Sequence, residues 1–275
     1  MSTPQSGDKT SPTQHRSRRL ERYGPWALVT GASDGIGRAI ATELAAEGFS
    51  LVLVARRKAV LSQLAEELAE KYGAQTRVIP ADLGSKEGTA TVEAETAALD
   101  IGLLVAAAGF GTSGPFVDGD LETELDMIAV NCEAIAALTH VFARRLVQRG
   151  RGGIILMSSL VAFQGVPRAT NYSATKAYVQ SFAEGLAVEL SPHGVDVVAS
   201  APGPVRSGFD KRAGMTLSMA QTPEEVAKGT LKALGRRVTV RPGFLAWALE
   251  TSLALLPRRG RIWMMTRVMA GMTGG

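Results

Sequence analysis

From Trp26 onward, short apolar runs alternate with longer stretches whose apolar positions recur at helical spacing. Residues 26–30, 50–55, 77–80, 101–106, 153–158 and 196–201 read as buried strands. Between them, 35–47, 58–71, 86–99, 121–147 and 172–190 read as helices. Within 58–71, Val60, Leu61, Leu64 and Leu68 fall near the i, i+3/i+4, i+7/i+8 spacing of a helix packed on one face. The run Leu51-Val52-Leu53-Val54 has no polar alternation, which suits a central parallel strand covered on both sides. The pattern therefore predicts an α/β fold, a parallel sheet with helices on both faces. No internal repeat or linker divides residues 23–243, so one domain is expected there.

The two ends differ from this middle. Residues 1–22 are mostly Ser, Thr, Pro, Gln and Arg, a composition expected to stay disordered. Arg18-Arg19 is not followed by an apolar stretch of signal-peptide type. No window reaches the roughly 18 uninterrupted apolar residues of a membrane-crossing helix. The net charge of +4 is spread unevenly: +3 over 1–22, +6 over 236–275 and −5 between them. An acidic centre with basic ends argues against a nucleic-acid-binding face. One cysteine, Cys132, leaves no internal disulfide to form, and a reducing cytoplasmic setting is expected. Residues 244–275 mix Trp, Leu and Met with Arg258, Arg259, Arg261 and Arg267. This tail reads as a lid over a pocket, a subunit interface or a segment lying on an anionic membrane.

Candidate chemistry begins at the first strand–helix junction, Thr30-Gly31-Ala32-Ser33-Asp34-Gly35-Ile36-Gly37. Glycines let such a turn approach a ligand, and exposed helix N–H groups attract a pyrophosphate. A purely structural turn explains the glycines as well, but the placement favours a dinucleotide. An acid at the end of the second strand would select NAD(H). Ala55-Arg56-Arg57 stands there instead, and a guanidinium can make paired bonds to a 2′-phosphate. NADP(H) is favoured over NAD(H), with Arg56 the preferred partner and a solvated helix start the alternative. Asp82, after the third strand, is placed to accept from an adenine amino group.

Tyr172 and Lys176 lie at i and i+4 and share one helix face. A nearby ammonium is expected to lower the phenol pKa, which suits Tyr172 to proton transfer. A surface Tyr–Lys pair has the same spacing. Ser159, thirteen residues earlier at the end of a strand, falls where a parallel sheet opens towards ligands. Asn131 stands inside a long helix, where Asn is poorly suited. It could hold a water reaching Lys176, or mark a capped or kinked helix.

With these residues in place, the chain resembles the short-chain dehydrogenase/reductase family over about residues 24–235. The matching features are the 30–37 glycine turn, Asp82-Leu83, Ala107-Ala108-Gly109, Asn131, Ser158-Ser159, Tyr172-x3-Lys176 and Pro202-Gly203-Pro204-Val205. The resemblance implies a Rossmann-type doubly wound sheet of about seven strands and a catalytic tetrad of Asn131, Ser159, Tyr172 and Lys176. It implies cofactor contacts from Gly31, Ser33, Asp34, Gly35, Ile36, Gly37, Asp82, Leu83, Ala108, Gly109, Tyr172 and Lys176. Pro202, Gly203 and Val205 would line the nicotinamide end. Two departures stand out: Ala107 replaces the family's usual Asn, and Ser207 stands where Thr is common.

The expected activity is NADPH-dependent reduction of a ketone or aldehyde, with Tyr172 as proton donor. Phe, Val, Leu and Met in segments 110–117, 161–168 and 207–221 point to an apolar substrate. Alternatives are a lipid or steroid alcohol dehydrogenase of the same family and a nucleotide-sensing protein without chemistry. Homo-oligomers are common in the family and are expected, with no metal.

Overall fold

The computed structural model describes residues 17–208, 220–243 and 256–272. Seven strands form one parallel sheet in the order β3-β2-β1-β4-β5-β6-β7. They are β1 (Trp26–Thr30), β2 (Ser50–Ala55), β3 (Thr76–Pro80), β4 (Ile101–Ala106), β5 (Gly152–Met157), β6 (Val195–Ser200) and β7 (Thr239–Val240). The chain runs outward from β1 to β3, then returns to β4 on the other side of β1. This reversal opens a crevice at the carboxyl ends of β1 and β4.

Both sheet faces are covered. Helices α2 (Gly35–Ala46), α3 (Lys58–Tyr72) and α8 (Pro223–Ala233) bury Ile40, Leu44, Leu61, Leu64 and Val226 with one face. On the other, α4 (Lys86–Glu95), α6 (Ala134–Arg149) and α7 (Thr170–Leu190) bury Val92, Phe142, Leu146 and Val179. Each such side chain contributes roughly 1.5–3 kcal/mol of hydrophobic stabilisation. The doubly wound single-sheet expectation agrees with this arrangement.

Three local expectations need correcting. The disorder expected for 1–22 does not hold for residues 17–22, while 1–16 lie outside the described residues. Helix α1 (Arg18–Tyr23) is capped by Ser17, whose Oγ accepts from the Leu20 N–H at 3.0 Å. Arg19 pairs with Glu47 and donates to the Leu231 carbonyl at 3.1 Å. Buried Tyr23 donates its hydroxyl to Asp196 Oδ2 at 2.7 Å. These long-range partners supply the stabilisation that local composition lacks.

The single helix expected over 121–147 is interrupted. Helix α5 (Leu121–Ile128) passes through a π turn, Ala129–Glu133, into α6. Residues 121–149 are long and apolar enough to cross a membrane by composition. Within it Ile135, Leu138, Phe142 and Leu146 are buried in the core, whereas Leu121, Leu125 and Ile128 are exposed. Finally, α4 ends at Glu95, not 99, and α7 begins at Thr170, two residues before Tyr172. The tail contributes α9 (Arg258–Met272), while 244–255 lie outside the described residues.

Candidate active site

The glycine turn is built by close approach between β1 and β4. Gly31 has φ +66°, and a Cβ there would lie 2.9 Å from the Ala107 carbonyl oxygen and the Ala108 backbone. A Cβ on Gly37 would meet the Gly31 carbonyl oxygen at 2.4 Å, so the first turn of α2 also packs directly on the loop. Thr30 Oγ1 accepts from the N–H groups of both Ala107 and Ala108 at 3.0 Å. The exit of β4 is thus tied to β1 through its backbone, without the side-chain amide usual at Ala107. Asp34 caps α2, one carboxylate oxygen accepting from Gly35 N–H at 2.7 Å and the other from Gly208 N–H at 3.1 Å.

At the end of β2, Arg56 and Arg57 are both exposed and both line the crevice. Arg57, ranked second from sequence, donates to Ser33 Oγ at 3.2 Å and so reaches the glycine turn. Asp82 lines the same wall, with Oδ1 accepting from Gly84 N–H at 3.1 Å.

The candidate catalytic residues meet where β5 ends and α7 begins. Ser159 caps a 3-10 turn, Leu160–Phe163, its Oγ accepting from Val161 N–H at 3.4 Å. The Tyr172 and Ser159 side chains are hydrogen-bonded. Lys176, 5% exposed, donates from Nζ to the Met157 carbonyl at 2.9 Å and lies 5.7 Å from the Tyr172 ring centre. Asn131 occupies the π turn and is fully buried. Its Nδ2 donates to the Phe110 carbonyl (2.9 Å) and Thr175 Oγ1 (3.1 Å), while its Oδ1 accepts from Phe110 N–H (3.1 Å). The π turn is what frees an Asn in mid-helix to make these bonds, as such bulges often do near functional sites. A Cβ on Gly109 would come within 2.9 Å of Asn131 Oδ1 and 3.4 Å of Lys176 Nζ.

Burial dominates the electrostatics. It pushes the Tyr172 phenol up to about 12, the bond to Ser159 opposing the rise. This reverses the lowering expected from Lys176, whose own ammonium is disfavoured by burial. Lys176 is pushed down to about 8, with the nearby Cys132 opposing. Folded protein therefore binds fewer protons at Lys176 than unfolded chain between about pH 8 and its ordinary 10.5. Stability should rise with pH in that window, by about 1–2 kcal/mol from pH 8 to 9.5. Thermal melts of cofactor-free protein check this, because Lys176→Met should abolish the rise.

One crevice of about 420 Å³ is lined by the glycine turn Gly31 and Ser33–Gly37, by Arg56, Asp82, Leu83, Ala108 and Gly109, and by Ser159, Tyr172, Lys176, Pro202, Gly203 and Val205. Asn131 lies behind Gly109 rather than on the wall. Among the lining residues not singled out from sequence are Met264, Met265, Val268 and Met269 of α9. Met269 is 3% exposed and packs with Val166, Ala169 and the ring of Tyr172. The described part of the tail therefore contributes apolar side chains to the crevice wall. Only the apolarity of the segment signalled it.

A profile of the short chain dehydrogenases matches residues 25–217. The chain belongs to the short-chain dehydrogenase/reductase family. This dehydrogenase/reductase is 34% identical over 247 residues to very-long-chain 3-oxoacyl-CoA reductase-B of Danio rerio, spanning 88% of this chain and 79% of that protein. Its fold superposes on a solved 7beta-hydroxysteroid dehydrogenase with a TM-score of 0.83 at 30% identity, covering 90% of this chain and 98% of the other. A short-chain dehydrogenase from Sphingobium yanoikuyae in complex with NADPH gives 0.77 at 33% identity, covering 86% and 97%. The protein is an oxidoreductase of CH–OH and C=O groups, a family that uses NAD(P)(H).

Proposed function

We propose that this enzyme uses NADPH to reduce the carbonyl group of bulky apolar ketones or aldehydes. The observation carrying this reading is that Ser159, Tyr172 and Lys176 share one crevice with the glycine turn, opposite an apolar wall. The residues present fit a phosphorylated dinucleotide. The backbone at Gly31 and Gly37 approaches so closely that no side chain could be added, leaving a cradle at the start of α2. Gly31, Ser33, Asp34, Gly35, Ile36 and Gly37 would hold the pyrophosphate. Asp82 and Leu83 would flank the adenine, and Ala108, Gly109, Pro202, Gly203 and Val205 the nicotinamide side. Arg56 and Arg57, with no acid between β2 and α3, favour a 2′-phosphate. The NADPH bound in a structural relative supports the same preference.

A nicotinamide bound in this cradle supplies the hydride. Ser159 Oγ holds the substrate oxygen, and the Tyr172 hydroxyl, kept protonated by burial, donates its proton to that oxygen. Lys176, beside the ring, steadies the phenolate that remains and is placed to bind the cofactor ribose. Asn131 locks Phe110 to Thr175 behind these groups and so fixes the height of α7 beneath the substrate. In the opposite direction the same groups would oxidise an alcohol.

The substrate wall combines Leu160, Val161 and Ala169 with Met264, Met265 and Met269. Methionine adapts to irregular apolar shapes, and the names of two relatives, an acyl-CoA reductase and a hydroxysteroid dehydrogenase, both denote large lipids. NADPH oxidation with a ketone series of rising chain length tests the reading. Rates as kcat/KM should rise with each added methylene, by up to about fourfold where the group is fully buried. Met269→Asp should erase that gradient for long ketones yet retain turnover of short ones. A flat profile in the unmodified enzyme would overturn the substrate class.

A further inference from the structure

Glu124 carries a carboxylate that the reaction does not use, yet it is only 7% exposed. Among the described residues no positive charge pairs with it. Both oxygens are instead taken by neutral donors from two different segments. Oε1 accepts from Thr112 Oγ1 at 2.6 Å, and Oε2 accepts from Asn171 Nδ2 at 2.7 Å. The same Nδ2 also reaches the Glu124 carbonyl at 2.9 Å. Asn171 immediately precedes Tyr172, and Thr112 lies two residues beyond Phe110, which lines the crevice. Burying a carboxylate without a cation is expensive, and an apolar side chain would fill the space at lower cost.

We infer that Glu124 is a positioning residue that clamps the start of α7 to the loop after β4 and so fixes where the Tyr172 hydroxyl meets the substrate oxygen. The inference rests on the proton-donor role proposed for Tyr172. Two neighbouring joints act on the same seam. Asn131 binds Phe110 and Thr175 on the inner side. On the outer side Gly114 N–H donates to the Arg168 carbonyl at 2.8 Å, with Arg168 held at φ +65°. The loop residue that Glu124 binds, Thr112, lies between Phe110 and Gly114, and of the three joints only Glu124 bonds the residue preceding Tyr172. Carboxylate bonds are strong, and displacing a reacting group by about 1 Å can lower turnover as much as ~10²-fold.

Glu124→Leu removes both acceptor oxygens and leaves an apolar side chain in their place. Its kcat should fall at least ~10-fold, while NADPH affinity by fluorescence titration stays within about twofold. Thr112→Val and Asn171→Ala each remove one arm and should show the same split between kcat and cofactor binding. If the three groups act as one unit, Glu124→Leu combined with Asn171→Ala should lose little more than either alone. Turnover within about twofold of the unmodified enzyme in folded Thr112→Val and Asn171→Ala would overturn the inference. So would losses of kcat and NADPH affinity that fall together with melting temperature, because those report a purely structural bond. Tyr172→Phe separates the two readings. If it stays active, the proton-donor role fails; if it is inactive while the clamp variants are normal, only the clamp fails.

Discussion

Tyr172→Phe should bind NADPH normally and turn over at least ~10²-fold more slowly, the low end for loss of a general acid. The substitution removes one oxygen and leaves the ring, which packs against Val166, Ala169 and Met269. The glycine turn and both arginines lie on other elements and are untouched. Losing the bond to Ser159 should lower stability by only about 1 kcal/mol, so a folding defect does not obscure the result. Single-turnover rates with pre-bound NADPH give the chemical step directly. Turnover within about tenfold of the unmodified enzyme would remove Tyr172 from the reaction.

Replacing Arg56 and Arg57 together with alanine should reverse cofactor preference. Charge-assisted bonds contribute about 1.5–3 kcal/mol each, so kcat/KM for NADPH should fall at least ~30-fold. NADH, lacking the 2′-phosphate, should change by less than about threefold. Arg57→Ala alone also releases Ser33 and should show part of the NADH effect, whereas Arg56→Ala should show none. Equal losses with both cofactors would mean that the arginines only build the start of α3. The loss with NADPH should shrink as salt rises, because both side chains are exposed.

Much of the sheet was legible because its strands are unbroken apolar runs. β1, β2 and β4 have the predicted bounds. β5 and β6 lie one residue earlier than predicted, where the apolar run and the ladder of hydrogen bonds part company. β7 has two residues and pairs only with β6, too short for any periodicity to register. Helix α1 was missed because its partners, Glu47, Asp196 and Leu231, are far away in sequence. The start of α7 was placed late because Ala169 offers no side-chain cap to announce it.

The site divides along the same line. Spacing within short motifs located the glycine turn and the Tyr172–Lys176 pair, since one turn or one helix face determines their geometry. Spacing could not foresee the direction of the tyrosine pKa, because i, i+4 proximity says nothing about how deeply both groups are buried. Nor could it reach α9, whose methionines arrive at the crevice from the far end of the chain. Asn131 is intermediate: its poor fit to a regular helix was visible, but the π turn that resolves the conflict was not.

That turn makes angular phase, not only residue identity, part of the active site. A regular α-helix advances by about 100° per residue. Ala129–Glu133 absorbs one surplus residue, and the two helices on either side each keep the correct side towards their neighbours. Losing the surplus residue would restore a regular helix and leave both flanking helices facing as they do. Yet Asn131, set within the turn, would shift against Phe110 and Thr175 and lose its bonds to them. Chains of this kind should therefore tolerate substitution along α5 far better than the loss of a residue from the turn.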